Sequence, residues 1–133
     1  MLPPNDARVT GLRCIEPESG SSAGLVAAGD PLVVVMCVEA GAALFGTGAR
    51  FKVGVQVDGT ELGSYGWRTG RFGDADWPEA VTEVRFRLPG DATAPLADRL
   101  VAVAGYLRVN AAPPYLVSAL RGPDVFVVPA ASP

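Results

Sequence analysis

The chain contains no histidine. Its absence removes the side chain that titrates nearest neutral pH, so a Ser-His-Asp triad, a Cys-His pair and a His-based zinc site are all excluded. Lysine is almost missing too: Lys52 is the only one, against ten arginines dispersed through 133 residues. With a net charge of −3 and no basic run, the order of residues offers no stripe for a phosphate backbone. No nucleic-acid partner is expected.

Cysteine is limited to Cys14 and Cys37. The start, Met1-Leu2-Pro3-Pro4-Asn5-Asp6, has neither the basic residues nor the apolar segment of a signal peptide. Both thiols are therefore expected to be reduced and buried, in a cytoplasmic protein. A bridge between them would need neighbouring strands, which spacing alone does not establish. Long apolar runs are lacking as well. Leu32 to Val38 is the longest, far short of the ~20 residues of a membrane helix, so no membrane partner is expected.

Charge is scarce at 19% of residues, where ~25% is usual, while hydrophobic residues reach 49%. Strands buried on both faces would account for this, and so would an apolar surface covered by a partner. The pattern along the chain is that of strands. Phe51, Val53, Val55 and Val57 alternate with Arg50, Lys52, Gly54 and Gln56, the period of a half-buried strand. Asp58-Gly59 follows, a favoured type I′ hairpin pair because both positions need φ > 0, and Thr60 to Tyr65 should return as the antiparallel partner. Thr82, Val84, Phe86 and Leu88 form the inner face of a second strand, closed by Pro89-Gly90-Asp91. Arg8 to Ile15 alternates more weakly.

Three stretches are apolar on both sides: Leu32–Val38, Leu100–Val109, and a final strand from Tyr115 to Leu120 and Val125 to Val128. Arg121-Gly122-Pro123-Asp124 interrupts the last and suggests a bulge. Leu96, Leu100, Val103 and Leu107 also match helical spacing, but β-branched Val101, Val103 and Val109 and the internal Gly105 favour a strand preceded by a helical turn near Ala94 to Asp98. Gly41 to Gly48 reads as a turn or one helical turn. About seven strands without an internal repeat imply one all-β domain over 1–133, an antiparallel immunoglobulin-like sandwich or a small barrel. The Cys…Trp…Cys spacing of antibody domains is absent.

The stretch 64–79 stands apart, with both tryptophans, two arginines and two aspartates in a glycine-punctuated loop. Tyr65, Trp67, Arg68, Arg71, Phe72, Asp74, Asp76 and Trp77 form the candidate binding surface, because Trp, Tyr and Arg dominate hot spots. The competing reading makes Trp67 and Trp77 a plug at one end of the sandwich, with Arg68 and Arg71 paired to Asp74 and Asp76. Asp74-x-Asp76 with Glu79 falls well short of a calcium loop, and Gly46-Thr47-Gly48 lacks the Lys of a phosphate loop. No metal or cofactor is expected.

Two functions remain open. The first is a non-catalytic interaction or assembly subunit that binds itself or a larger particle, such as a phage-type capsid or tail. The second is a small barrel around an apolar ligand, a cofactor-free cyclase or isomerase using Tyr65, Tyr106, Arg68 and Asp76.

Overall fold

Each alternating or doubly apolar segment becomes a strand, in a computed structural model that describes residues 2–110 and 116–129. In chain order the strands are β1 (Ala7–Ile15), β2 (Leu25–Ala27), β3 (Leu32–Ala40), β4 (Arg50–Val57), β5 (Thr60–Glu61), β6 (Trp67–Arg71), β7 (Val81–Leu88), β8 (Arg99–Asn110) and β9 (Leu116–Val128). Single helical turns lie at α1 (Ala42–Phe45) and α2 (Gly90–Thr93). One sheet has the order β1-β3-β7; the other runs β2-β9-β8-β4-β5, with β6 also on β4. The fold is all-β and sandwich-like, with nine strands among the described residues where about seven were expected. The two strands not expected are β2, three residues long and too short for a periodicity to register, and β6, which lies within the supposed loop.

The hairpin turn forms as its chemistry requires, with Asp58 at φ 51° and Gly59 at φ 78°. Its return strand, β5, is shorter than expected. Pairing stops after Gln56↔Glu61, the chain makes a 3-10 turn at Ser64–Gly66, and β6 then takes the rest of the β4 edge, Arg50↔Arg71 through Gly54↔Trp67. Part of the supposed loop 64–79 is therefore strand. Its sequence, Trp-Arg-Thr-Gly-Arg, has no apolar alternation because β6 is an edge that buries little. What makes it a strand is the free row of hydrogen-bonding groups on β4.

Phe51, Val53, Val55 and Val57 face the core, as do Val84, Phe86 and Leu88. The stretch 94–107 resolves as expected in kind: a helical turn, here starting early at Gly90 and continuing through a 3-10 turn to Leu96, then β8. Gly105 has a packing reason, since a Cβ there would lie 2.8 Å from the Met36 methyl of the opposite sheet. The break in the last strand is a bulge: Ala102 pairs with Asp124 and Ala104 with Arg121, so Gly122 and Pro123 together stand opposite Val103. Tyr115 and residues 130–133 lie outside the described residues. At the other end the Pro3-Pro4 segment docks on α1, where Leu44 N–H donates to the Pro4 carbonyl.

The apolar outer side of β3 turns out to be covered by the chain itself. Val35 is fully buried and Val33 nearly so, in a small second cluster with Ile15. The register sets Val35 between Arg13 and Arg85, and Val33 between Ile15 and Arg87. Arginine stems flank these valines while the guanidinium groups reach water. Glu83 ties Arg13 (3.1 Å) to Arg85 (3.7 Å) across the strand. Between the sheets, the space lined by residues such as Val26, Leu32, Val103 and Val125 amounts to about 20 Å³. It holds one water at most, where ligand pockets start near ~300 Å³.

Both cysteines are free. Although β1 and β3 are neighbours, Cys14 pairs with Val34 and Cys37 with Gly11, so the thiols never meet. Only Cys14 is buried. Cys37 is half-exposed beside Arg13 and Glu83, which corrects the expectation of two buried thiols. Burial pushes the Cys14 thiol from 9.0 up to about 11. The folded state keeps its proton longer than the unfolded chain does. That contribution is whole below about pH 9 and is lost as pH rises through about 11, a fall of at most about 2–3 kcal/mol. Urea denaturation at about pH 8 and about pH 10.5 should show it, and Cys14→Ala should lose it. An equal fall in the variant would assign the effect to other groups.

Candidate functional site

The strands that complete the large sheet also build its outer face. Inward residues of β4 and β8 alternate with Arg50, Lys52, Gly54 and Gln56 and with Tyr106 and Arg108 on the other side. Register then places Trp67, Gly54 and Tyr106 on one rung across β6, β4 and β8. Glycine matters at the centre, because a Cβ on Gly54 would collide with the Tyr106 hydroxyl and ring. A strand glycine of this kind marks close approach. Here it lets Tyr106 lie flat across β4 and reach β5.

There the Tyr106 hydroxyl donates to Glu61 Oε1 at 2.8 Å, and Lys52 Nζ donates to the same oxygen at 2.8 Å. The Lys52 ammonium sits 5.4 Å from the Trp67 ring centre and 5.8 Å from that of Tyr106, within cation–π range of both. The bond from Lys52, helped by that from Tyr106, holds the Glu61 carboxyl below its ordinary range. The same bond to Glu61 raises the Lys52 ammonium. Burial first, and the bond to Glu61 second, raise the Tyr106 phenol. The cluster is a two-ring platform held by one carboxylate and one ammonium.

Beside the platform, toward the far end of β4, lies an open cleft of about 580 Å³. Arg50, Lys52, Arg71 and Arg108 line it. Arg50 is directly opposite Arg71, and Lys52 directly opposite Arg108. Like charges so placed destabilise a sheet.

The candidate residues 64–79 divide among several environments. Trp67 joins the platform and Arg71 the cleft. Phe72 and Trp77 are buried, withdrawn from any contact surface into an aromatic cluster with Phe51, and Trp77 Nε1–H donates to the Ala80 carbonyl. The plug reading therefore holds for Trp77 and not for Trp67. Arg68 turns to the small sheet, its guanidinium 5.3 Å from the Phe86 ring centre and donating to the Arg85 carbonyl. Tyr65 packs half-buried against the core. Neither arginine forms an ion pair with Asp74 or Asp76 among the described residues. Asp74 instead accepts the Arg71 backbone N–H at 3.0 Å, closing the turn, and Asp76 is exposed. Among the described residues, no three metal-ligating side chains converge.

Sequence reading missed Arg50, Lys52, Glu61 and Arg108 and assigned Tyr106 to the enzyme alternative. The available signals were Gly54 inside an otherwise regular strand and the charges on the outward positions of β4. Their partners lie on β5, β6 and β8, up to some fifty residues away in sequence, so no spacing could join them. No protein-family model matches the chain, and neither a curated protein nor a solved structure is significantly similar to it.

Proposed function

We propose that the chain is a non-catalytic β-sandwich subunit that docks a second copy of itself, or a neighbouring subunit of a larger assembly, on the outer face of its large sheet. The observation that carries this reading is the Trp67–Tyr106 platform, two half-exposed rings held by Lys52 and Glu61. Aromatic side chains with a polar tip suit such a surface because they add contact area at low entropic cost. Leu25, Leu100 and Val117, all largely exposed, belong to the same sheet. The void of about 20 Å³ between the sheets speaks against an internal apolar ligand and so against the cyclase or isomerase alternative.

We read the topology as immunoglobulin-like. In that arrangement one sheet runs A-B-E and the other G-F-C-C′, and β1-β3-β7 with β9-β8-β4-β5 follow the same order. The platform would then lie on the C-F-G side. Sedimentation velocity from micromolar to millimolar concentration should show a rising mass, and Trp67→Ala combined with Tyr106→Ala should abolish the rise while the far-ultraviolet spectrum stays native. A wild-type chain that remains a 13.7 kDa monomer throughout would overturn self-docking.

A further inference from the structure

We infer that β7 pairs edge to edge with β7 of a second copy, antiparallel about a two-fold axis through Val84. β7 is the outer strand of the small sheet and bonds to β3 on one side only. Parity tells which of its backbone groups are left over. The Ala80 carbonyl accepts the Ala40 N–H, so even positions face β3, and the Arg85 carbonyl accepts from Arg68 on the opposite side. In an antiparallel strand the N–H and C=O of one residue point the same way. Val81, Glu83, Arg85 and Arg87 therefore aim theirs outward. Among the described residues only the Arg85 carbonyl of this row is engaged, by a long bond of 3.4 Å. The 3-10 turn Ser64–Gly66 comes near β7 but gives it no hydrogen bond. A free row of this kind is a template for another strand. The other edges are short or blunted: β2, β5 and β6 have two to five residues, and β1 carries a bulge after Val9, whose N–H bonds to Ser118. β7 runs eight residues in unbroken register.

Charge selects a second copy as the occupant and fixes its register. Glu83, Arg85 and Arg87 are exposed on the outer face of the small sheet. With the axis at Val84, Glu83 stands opposite the second copy's Arg85, and Arg85 opposite its Glu83, as a self-complementary two-fold contact requires. Arg87, which forms no ion pair among the described residues, falls diagonal to the second copy's Glu83, within reach of a long side chain. An axis at Glu83 or Arg85 would set that residue against its own copy, like charge to like. One at Thr82 or Phe86 would shorten the overlap. Glu83 keeps Arg13 on Oε1 at 3.1 Å and offers Oε2, a loose 3.7 Å from its own Arg85, to the incoming arginine. Exposed ion pairs add little energy, so the backbone ladder supplies the affinity and the charges supply the register. Arg68 shares the Arg85 carbonyl, which has two lone pairs, with the incoming N–H.

The test starts from the protein carrying both Trp67→Ala and Tyr106→Ala, in which the platform on the other sheet is gone and the edge alone can associate. That variant should sediment as a constant dimer, twice 13.7 kDa, from micromolar concentration upward. The rise that the platform adds in the wild type is then read above the dimer mass, so the two readings fail separately. A 13.7 kDa double variant overturns edge pairing, whereas a wild type that stays a dimer overturns the platform. In the same background Glu83→Arg and Arg85→Glu should each weaken the dimer at least tenfold, and the two together should restore it to within roughly threefold. Side chains with a merely structural role would give losses that add, without rescue. Amide hydrogen exchange needs no charge variant. In the dimer the N–H groups of Val81, Glu83, Arg85 and Arg87 should be protected like those of Thr82, Val84 and Phe86. Fast exchange at the odd positions, a reversal without effect, or an exchange of charges without rescue overturns the inference.

Discussion

Replacing Val55 by aspartate should leave no folded protein. Val55 is completely buried in β4, between the inward side chains of Val53 and Val57 and opposite Gly105, where the Met36 methyl from the other sheet comes closest. A carboxylate there has no described ion-pairing partner. It would have to remain charged in an apolar interior or take up a proton, and either route costs several kcal/mol in addition to the lost packing. Domains of this size have only about 5–15 kcal/mol in total. Circular dichroism should therefore show an unfolded chain, without a melting transition. The adjacent Gln56 gives the control. It points outward, so Gln56→Asp should cost less than about 1 kcal/mol, because a one-residue step along a strand exchanges the faces. A Val55→Asp protein that melts like wild type would show that the inner face of β4 has been misassigned.

Trp77→Ala should be the next most damaging change, at about 3–5 kcal/mol and a fall in melting temperature of roughly 10–20 °C. Trp77 has no exposed surface and is the largest fully buried side chain. It meets Phe72 edge-to-face at 4.8 Å and Phe51 at 5.1 Å, while Phe45 extends the cluster through Phe72 at 5.7 Å. Its indole N–H is satisfied by the Ala80 carbonyl, so the whole ring can stay dry. Deleting it leaves a cavity against Phe72 and Phe51 in the closed core. Trp67→Ala should cost no more than about 1 kcal/mol, since that ring is only half-buried and sits in cation–π range of Lys52. Thermal melts of the two variants side by side make the distinction. Equal losses would mean that both tryptophans belong to the core.

The contrast between two tryptophans ten residues apart shows how the candidate site escaped sequence reading. Composition drew attention to 64–79 because hot-spot residue types gather there. Composition does not say which way each side chain faces. Trp67 stands on an edge strand and is half-buried, whereas Trp77 ends a tight turn, Arg71 to Trp77, that folds it inward. The same blindness applied to charge. Arg50 and Arg71 are unremarkable in order, and their convergence exists only once β6 has paired with β4.

By itself the sequence determined what depends on neighbours within a few residues: the period-two faces of β4 and β7, the hairpin turn at Asp58-Gly59, the bulge at Gly122-Pro123 and the absence of histidine chemistry. These follow from side-chain alternation and backbone φ preferences, which are local. Tertiary structure alone decided the rest. It set which strand covers the free edge of β4, closed the outer face of β3 with arginine stems, buried Trp77 and left Trp67 half-exposed, and brought Lys52, Glu61 and Tyr106 to one point on the sheet. The physical reason is that strand pairing is a contact between distant segments, selected by the burial and hydrogen bonding of the whole sheet, and no periodicity in a single strand specifies its partner.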